Sequence, residues 1–122
     1  MGITFAGAHR DGLSRFHAAA DVFAMPASFE TFSMATLEAM AAGLPVVISD
    51  RMGVRDIVRD GVNGFVTDSS RPTEACASRL GELLDQQRRV SLGQAARNTA
   101  TEHGWDHVAK VVMDTYQRLL NR

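Results

Sequence analysis

Between residues 3 and 68 short apolar runs alternate with stretches of helical period, and the runs lack the polar residue at every second position that a half-exposed strand shows. Residues 3–6 (ITFA) stop at Gly7, residues 21–25 (DVFAM) stop at Pro26, residues 45–49 (PVVIS) are β-branched, and residues 65–67 follow the Asn63-Gly64 turn signal. Between them, residues 13–20, residues 33–42 ended by Gly43, and the shorter 54–59 read as helices. Strands without a polar face must be covered on both sides. The pattern therefore predicts an α/β fold, a Rossmann-like parallel sheet of about four strands with helices on both faces.

After Pro72 the strand signal ends, and residues 72–84, 88–102 and 105–120 read as three helices in series. Ala77, Leu80 and Leu84 draw one apolar stripe, and Val108, Val111, Val112, Tyr116 and Leu119 draw another, so these helices are expected to pack onto something. With no repeat and no linker, residues 1–122 read as one domain: alternating strands and helices in 1–68, a helical C-terminal extension in 69–122. About four strands are few for a doubly wound sheet, and the chain starts almost on one, which predicts a partial domain. An uncovered sheet edge would follow, and with it a homodimer or strand exchange through that edge.

Composition narrows the function classes. A net charge of −1 with no long run of like charge disfavours a nucleic-acid coat or a polybasic membrane anchor. Twelve Arg stand against the single Lys110, so a cationic phosphate contact would be an Arg fork. Cys76 has no partner for a disulfide and reads as a small hydrophobe in a reducing compartment. The apolar stretches around 18–26 and 34–48 are broken by Asp21, Pro26, Glu38, Gly43 and Pro45, and no secretory leader is visible; the expected location is cytoplasmic.

The chemistry concentrates in residues 26–47. A strand runs into Pro26, a polar turn follows, and a helix starts near Phe32 or Ser33, at the carboxyl edge of the sheet where open α/β sheets bind ligands. The unpaired amides of a first helical turn suit an anion such as a diphosphate. Glu30 and Glu38 bracket this turn, and a carboxylate can accept two hydrogen bonds from a vicinal diol of a ribose or a sugar. The alternative is a capping Glu30 and a solvated Glu38. Against that, Leu37, Ala39, Met40, Ala41 and Ala42 surround Glu38, so burial and a partner are expected for it, with both carboxylates facing one crevice.

Residues 20–30 (ADVFAMPASFE), 38–47 (EAMAAGLPVV) and 59–66 (RDGVNGFV), with the glutamates at E-x7-E, closely resemble the C-terminal donor-binding half of retaining GT-B glycosyltransferases, the large family that includes bacterial sugar transferases and sucrose synthase. The resemblance implies transfer of a glycosyl group from a nucleotide-diphosphate sugar to an acceptor hydroxyl with retention of configuration. Glu30 would lie beside the donor sugar and its reacting centre, and Glu38 would hold the nucleotide ribose. The backbone amides of Thr31, Phe32 and Ser33 would face sugar and diphosphate, and Ala8, His9 and Arg10 would border the nucleobase. No cofactor or metal is implied, because amides and basic side chains neutralise the leaving diphosphate. The family often has Gly where this chain has Thr31 and Ser33, and Cβ atoms there narrow backbone approach. Its phosphate-clamping Arg and Lys, and its acceptor-binding N-terminal domain, normally precede the segment matched here. This segment alone is therefore expected to be inactive, with any peripheral membrane contact made through that domain.

Competing readings are a non-catalytic nucleotide-sugar binding or interaction module, and a glycosidase, whose two carboxylates stand about 5 to 9.5 Å apart. His103 and His107, four residues apart, have the spacing of a zinc pair, but Gly104 interrupts the helix and no third ligand is near in sequence. His9 reads as a loop residue and His17 as packing. Asp56 reads as a first-turn carboxylate, with Asp50 on the other side of residues 52–55. Ser28 and Ser49 lie in no nucleophile elbow, and neither G-x-x-x-x-G-K-[ST] nor G-x-G-x-x-G occurs.

Overall fold

A computed structural model describes residues 2–122. The element order is α1 (Leu13–Ala19), β1 (Phe23–Met25), α2 (Met34–Ala41), β2 (Val46–Ser49), a 3-10 turn (Gly53–Asp56), β3 (Phe65–Thr67), α3 (Pro72–Glu82), α4 (Gln86–Glu102) and α5 (Trp105–Leu120). The three strands form a parallel sheet in the order β1-β2-β3, with Phe23 opposite Val46 and Val47 opposite Phe65.

Every residue of β2 is buried, as its unbroken apolar run requires. Val46 and Ile48 enter one core with Ala39 and Met40 of α2 and Ala96 and Ala100 of α4. Val47 points the other way, into a second core with Phe65, Leu83 and Leu92, against which Cys76 is half-buried. Helices thus cover both faces. Full burial of each of the larger side chains, such as Val46, Ile48 and Phe65, stabilises the fold by about 1.5–3 kcal/mol. The α2–α4 contact is close because Gly93 has no side chain: a Cβ there would strike the Gly43 carbonyl oxygen and lie 3.5 Å from Pro45 Cδ. Buried Asn63 ties the segment before β3 to α4. Its Oδ1 accepts from Arg59 N at 2.7 Å, and its Nδ2 donates to Ile57 O and Thr99 Oγ1, both at 2.9 Å.

Five expectations change. Ala77, Leu80 and Leu84 are all exposed, and the α3 region packs through Cys76 and Leu83 instead. Residues 3–6 are not a strand; Ile3 is 88% and Phe5 94% exposed, so the sheet has three strands rather than four. Strand backbone needs a neighbour to satisfy its N–H and C=O groups, and among the described residues none lies beside this run. Residues 54–59 form only the Gly53–Asp56 3-10 turn, closed by Arg55 N donating to Met52 O at 3.1 Å. The stripe of α5 packs on nothing described: Val108, Val111, Val112, Tyr116 and Leu119 are all exposed, and no residue of the helix is buried. Glu38 is exposed, because α2 buries Thr36, Ala39 and Met40 on one stripe and turns Met34 and Glu38 away from it.

Candidate functional site

β1 delivers the chain to Pro26 at the carboxyl edge of the sheet, and residues 26–33 cross that edge before α2 begins. The crossing is fixed to the next connection. Buried Ser49 donates its hydroxyl to Ala27 O. Glu30 then forms a short parallel bridge with Met52: Glu30 N donates to Arg51 O at 3.3 Å, Gly53 N to Glu30 O at 3.1 Å, and Val54 N to Phe32 O at 3.0 Å.

Ser33 caps α2. Its φ of 83° lies in the left-handed region, and among the described residues it is the one non-glycine with positive φ. Its Oγ accepts from Thr36 N at 3.2 Å, lies 2.7 Å from Thr36 Oγ1, and donates to Met25 Sδ at 3.4 Å. One side chain therefore links the end of β1 to the first turn of α2. A positive φ of this kind is one that glycine adopts without strain.

Glu30 is half-buried, and its Oε1 accepts from both Thr31 N (2.9 Å) and Thr31 Oγ1 (3.2 Å). That engages the Thr31 amide. Among the described residues the amides of Phe32, Ser33, Met34 and Ala35 donate to nothing, so four N–H groups remain at the start of α2 for a ligand. Glu38, one helical turn beyond Met34, borders a groove of about 470 Å³ between α2 and the α4–α5 corner, lined also by Phe32, Leu37, His103, Trp105 and Val108. Glu30 does not line this groove. Glu30 is turned back onto Thr31, whereas Glu38 borders the groove that the first turn of α5 walls.

Ala8, His9 and Arg10 are not brought to this edge. His9 Nε2 lies 2.7 Å from Ala6 O, its ring centre is 4.8 Å from that of Phe16 at a tilt of 44°, and it borders a hollow with Val22, Phe23 and Leu44, at the opposite ends of β1 and β2. With residues 3–6 outside the sheet, nothing holds this loop near α2. His103 and His107 have ring centres 6.2 Å apart, and no group of three His, Cys, Asp or Glu among the described residues can hold a metal ion. The Gly53 and Val54 contacts, and the groove that Glu38 and Trp105 both line, bring together residues far apart in sequence, and no spacing signal marks them.

Residues 2–99, four fifths of the chain, match the family of glycosyl transferases group 1. The chain belongs to this family. It is 40% identical over 114 residues to a D-inositol 3-phosphate glycosyltransferase of Xylanimonas cellulosilytica, covering 93% of this chain and 27% of the relative. To a sulfoquinovosyl transferase of Arabidopsis thaliana it is 38% identical over 99 residues, covering 78% and 19%. Among solved structures, a sucrose-phosphate synthase from Thermosynechococcus elongatus superposes with a TM-score of 0.78 at 26% identity, covering 87% of this chain and 27% of that one. The Anabaena protein HepE, solved in complex with UDP-glucose, superposes at 0.71 and 27% identity, covering 85% and 29%. The chain thus spans about a quarter of the length of these relatives. Among the described residues no helix is long and apolar enough to cross a membrane.

Proposed function

We propose that this segment supplies part of the donor site of a glycosyltransferase that moves a glycosyl group, with retention of configuration, from a nucleotide-diphosphate sugar to an acceptor hydroxyl. The observation that carries the reading is the row of unpartnered amides from Phe32 to Ala35 at the carboxyl edge, in a chain whose structural neighbour HepE was solved with UDP-glucose. Amides aimed at a leaving diphosphate stabilise the charge that develops on it without needing a metal ion. In this reading Glu30 stands beside the donor sugar and Glu38 accepts from the ribose hydroxyls, which its exposed place on α2 leaves it free to do. Ala8, His9 and Arg10 reach the nucleobase only if residues 3–6 join a sheet, and the acceptor belongs to a part of the polypeptide outside this segment.

Titration of the chain with UDP-glucose, followed by amide NMR, tests the donor site. Saturable shifts at Phe32, Ser33, Met34 and Ala35 are expected, and Glu38→Ala should weaken binding by about tenfold, roughly the worth of one hydrogen bond to a charged group. Glu30→Ala should leave nucleotide affinity nearly unchanged while abolishing turnover in an enzyme that contains the segment. A chain without shifts at these amides refutes the reading. A chain that binds UDP-glucose, in an enzyme whose turnover is indifferent to Glu30→Ala, is a binding module instead.

A further inference from the structure

The carbonyl of the peptide joining Thr31 to Phe32 points at Gly53. A Cβ built on Gly53 would strike the Thr31 carbonyl oxygen, come within 2.9 Å of the Thr31 carbonyl carbon and 3.3 Å of Phe32 Cα. Every atom it meets is backbone, so no side chain can swing aside to make room. The same glycine donates its own N–H to Glu30 O, and the next residue, Val54, donates to Phe32 O. At the other end of the crossing Ser33 is tied to Met25 and Thr36. The segment is thus held by Gly53 and Val54 along its length and by Ser33 at its exit.

We infer that Gly53 is a positioning residue for the diphosphate subsite: its missing side chain makes room for the Thr31 carbonyl, and this turns the Phe32 N–H of the same trans peptide away from Gly53 and sets where the Phe32 and Ser33 amides point. The inference rests on the donor reading above. Fixed donors lose little freedom when a ligand arrives, and a displaced peptide forfeits that advantage. Gly53→Ala must lift the Thr31–Phe32 peptide, break the Gly53 and Val54 bonds and re-aim the amides, while the cores around Val46 and Phe65 remain in place.

The experiment is amide hydrogen exchange and a UDP titration on the whole chain, with UMP as the single-phosphate control. In the wild type, the Gly53 and Val54 amides should be protected without ligand and better protected with UDP, and UDP should bind more tightly than UMP. In Gly53→Ala, that protection should vanish, shift changes should stay within residues 28–36 and 51–57, and UDP affinity should fall at least tenfold with little change for UMP. Gly93→Ala is the comparison for general destabilisation, since it crowds the remote α2–α4 contact; it should lower thermal stability yet leave UDP affinity intact. Wild-type Gly53 and Val54 amides that exchange freely overturn the inference even if Gly53→Ala does not fold, and so does Gly53→Ala binding UDP as tightly as the wild type. A wild type whose Gly53 and Val54 amides are protected but whose Phe32–Ala35 amides ignore UDP overturns the donor reading, and the inference with it.

Discussion

Ser33 combines two opposed requirements in one residue. Its backbone is left-handed, which costs an L-residue about 1–2 kcal/mol, yet its hydroxyl caps α2 and reaches Met25. Ser33→Gly removes the strain and gives up only a few tenths of a kcal/mol of capping, so it should be neutral to stabilising. Ser33→Val keeps the strain, adds a branched Cβ and loses the cap, and should destabilise by about 2 kcal/mol or more in urea unfolding. Asp68 carries a pH prediction. The Ser70 backbone N–H, at 2.8 Å, holds its carboxyl below the ordinary value of 3.8, aided by the Ser70 hydroxyl and then the Arg71 charge, against slight desolvation. Because the folded-state pKa is lowered, the stabilisation is complete above 3.8 and disappears as pH falls through the folded-state value. Carbon-13 titration of the Asp68 carboxyl should report this lowered midpoint, and Ser70→Pro, which removes the N–H, should raise it.

At the scale of elements, the α2–α4 pair carries the fold's tightest helix contact, and Gly93 sets its distance. Gly93→Ala gains helix propensity of about 1 kcal/mol but drives a Cβ into the Gly43 carbonyl oxygen. Overpacking of this kind costs about 1–3 kcal/mol, so a net loss is expected in thermal melts, in contrast to the gain the same substitution gives on an open helix face. On the other side of the sheet, the Arg79 and Arg88 guanidinium carbons stand 4.7 and 5.5 Å from the centre of the Phe65 ring, and both arginines pair with Glu82 at 2.8 and 2.7 Å. These groups are partly exposed, so the paired charges add little stability beyond orienting the two arginines over the ring.

At the scale of the whole molecule, apolar surface is left uncovered along α5, on residues 3–6 and beside β1, which pairs with β2 alone among the described residues. Surface of this extent drives association. The weight-average mass in sedimentation velocity should rise with concentration. If residues 3–6 add to the β1 edge of a second copy, Ile3→Lys with Phe5→Lys should abolish that rise. A rise that persists in this variant, and disappears with Val112→Lys, locates the contact on α5 instead. A monomer at all concentrations defeats both.

Local sequence by itself determined the parallel α/β plan, since an unbroken run such as residues 46–48 has to be buried on both faces, and Gly43, Pro72 and Gly104 stop or start helices through backbone geometry alone. The motif residues from Glu30 to Val47 likewise carried the family. What the sequence could not decide depends on which surfaces meet. Residues 3–6 have strand composition but no neighbour to hydrogen-bond, Glu38 sits among alanines yet on the outward stripe of its helix, and the α5 stripe finds no partner among the described residues. Gly53 reads as an ordinary loop glycine until the Thr31 carbonyl is seen pointing at it, because that contact is made by backbone atoms some twenty residues apart, and no side-chain pattern records such an approach.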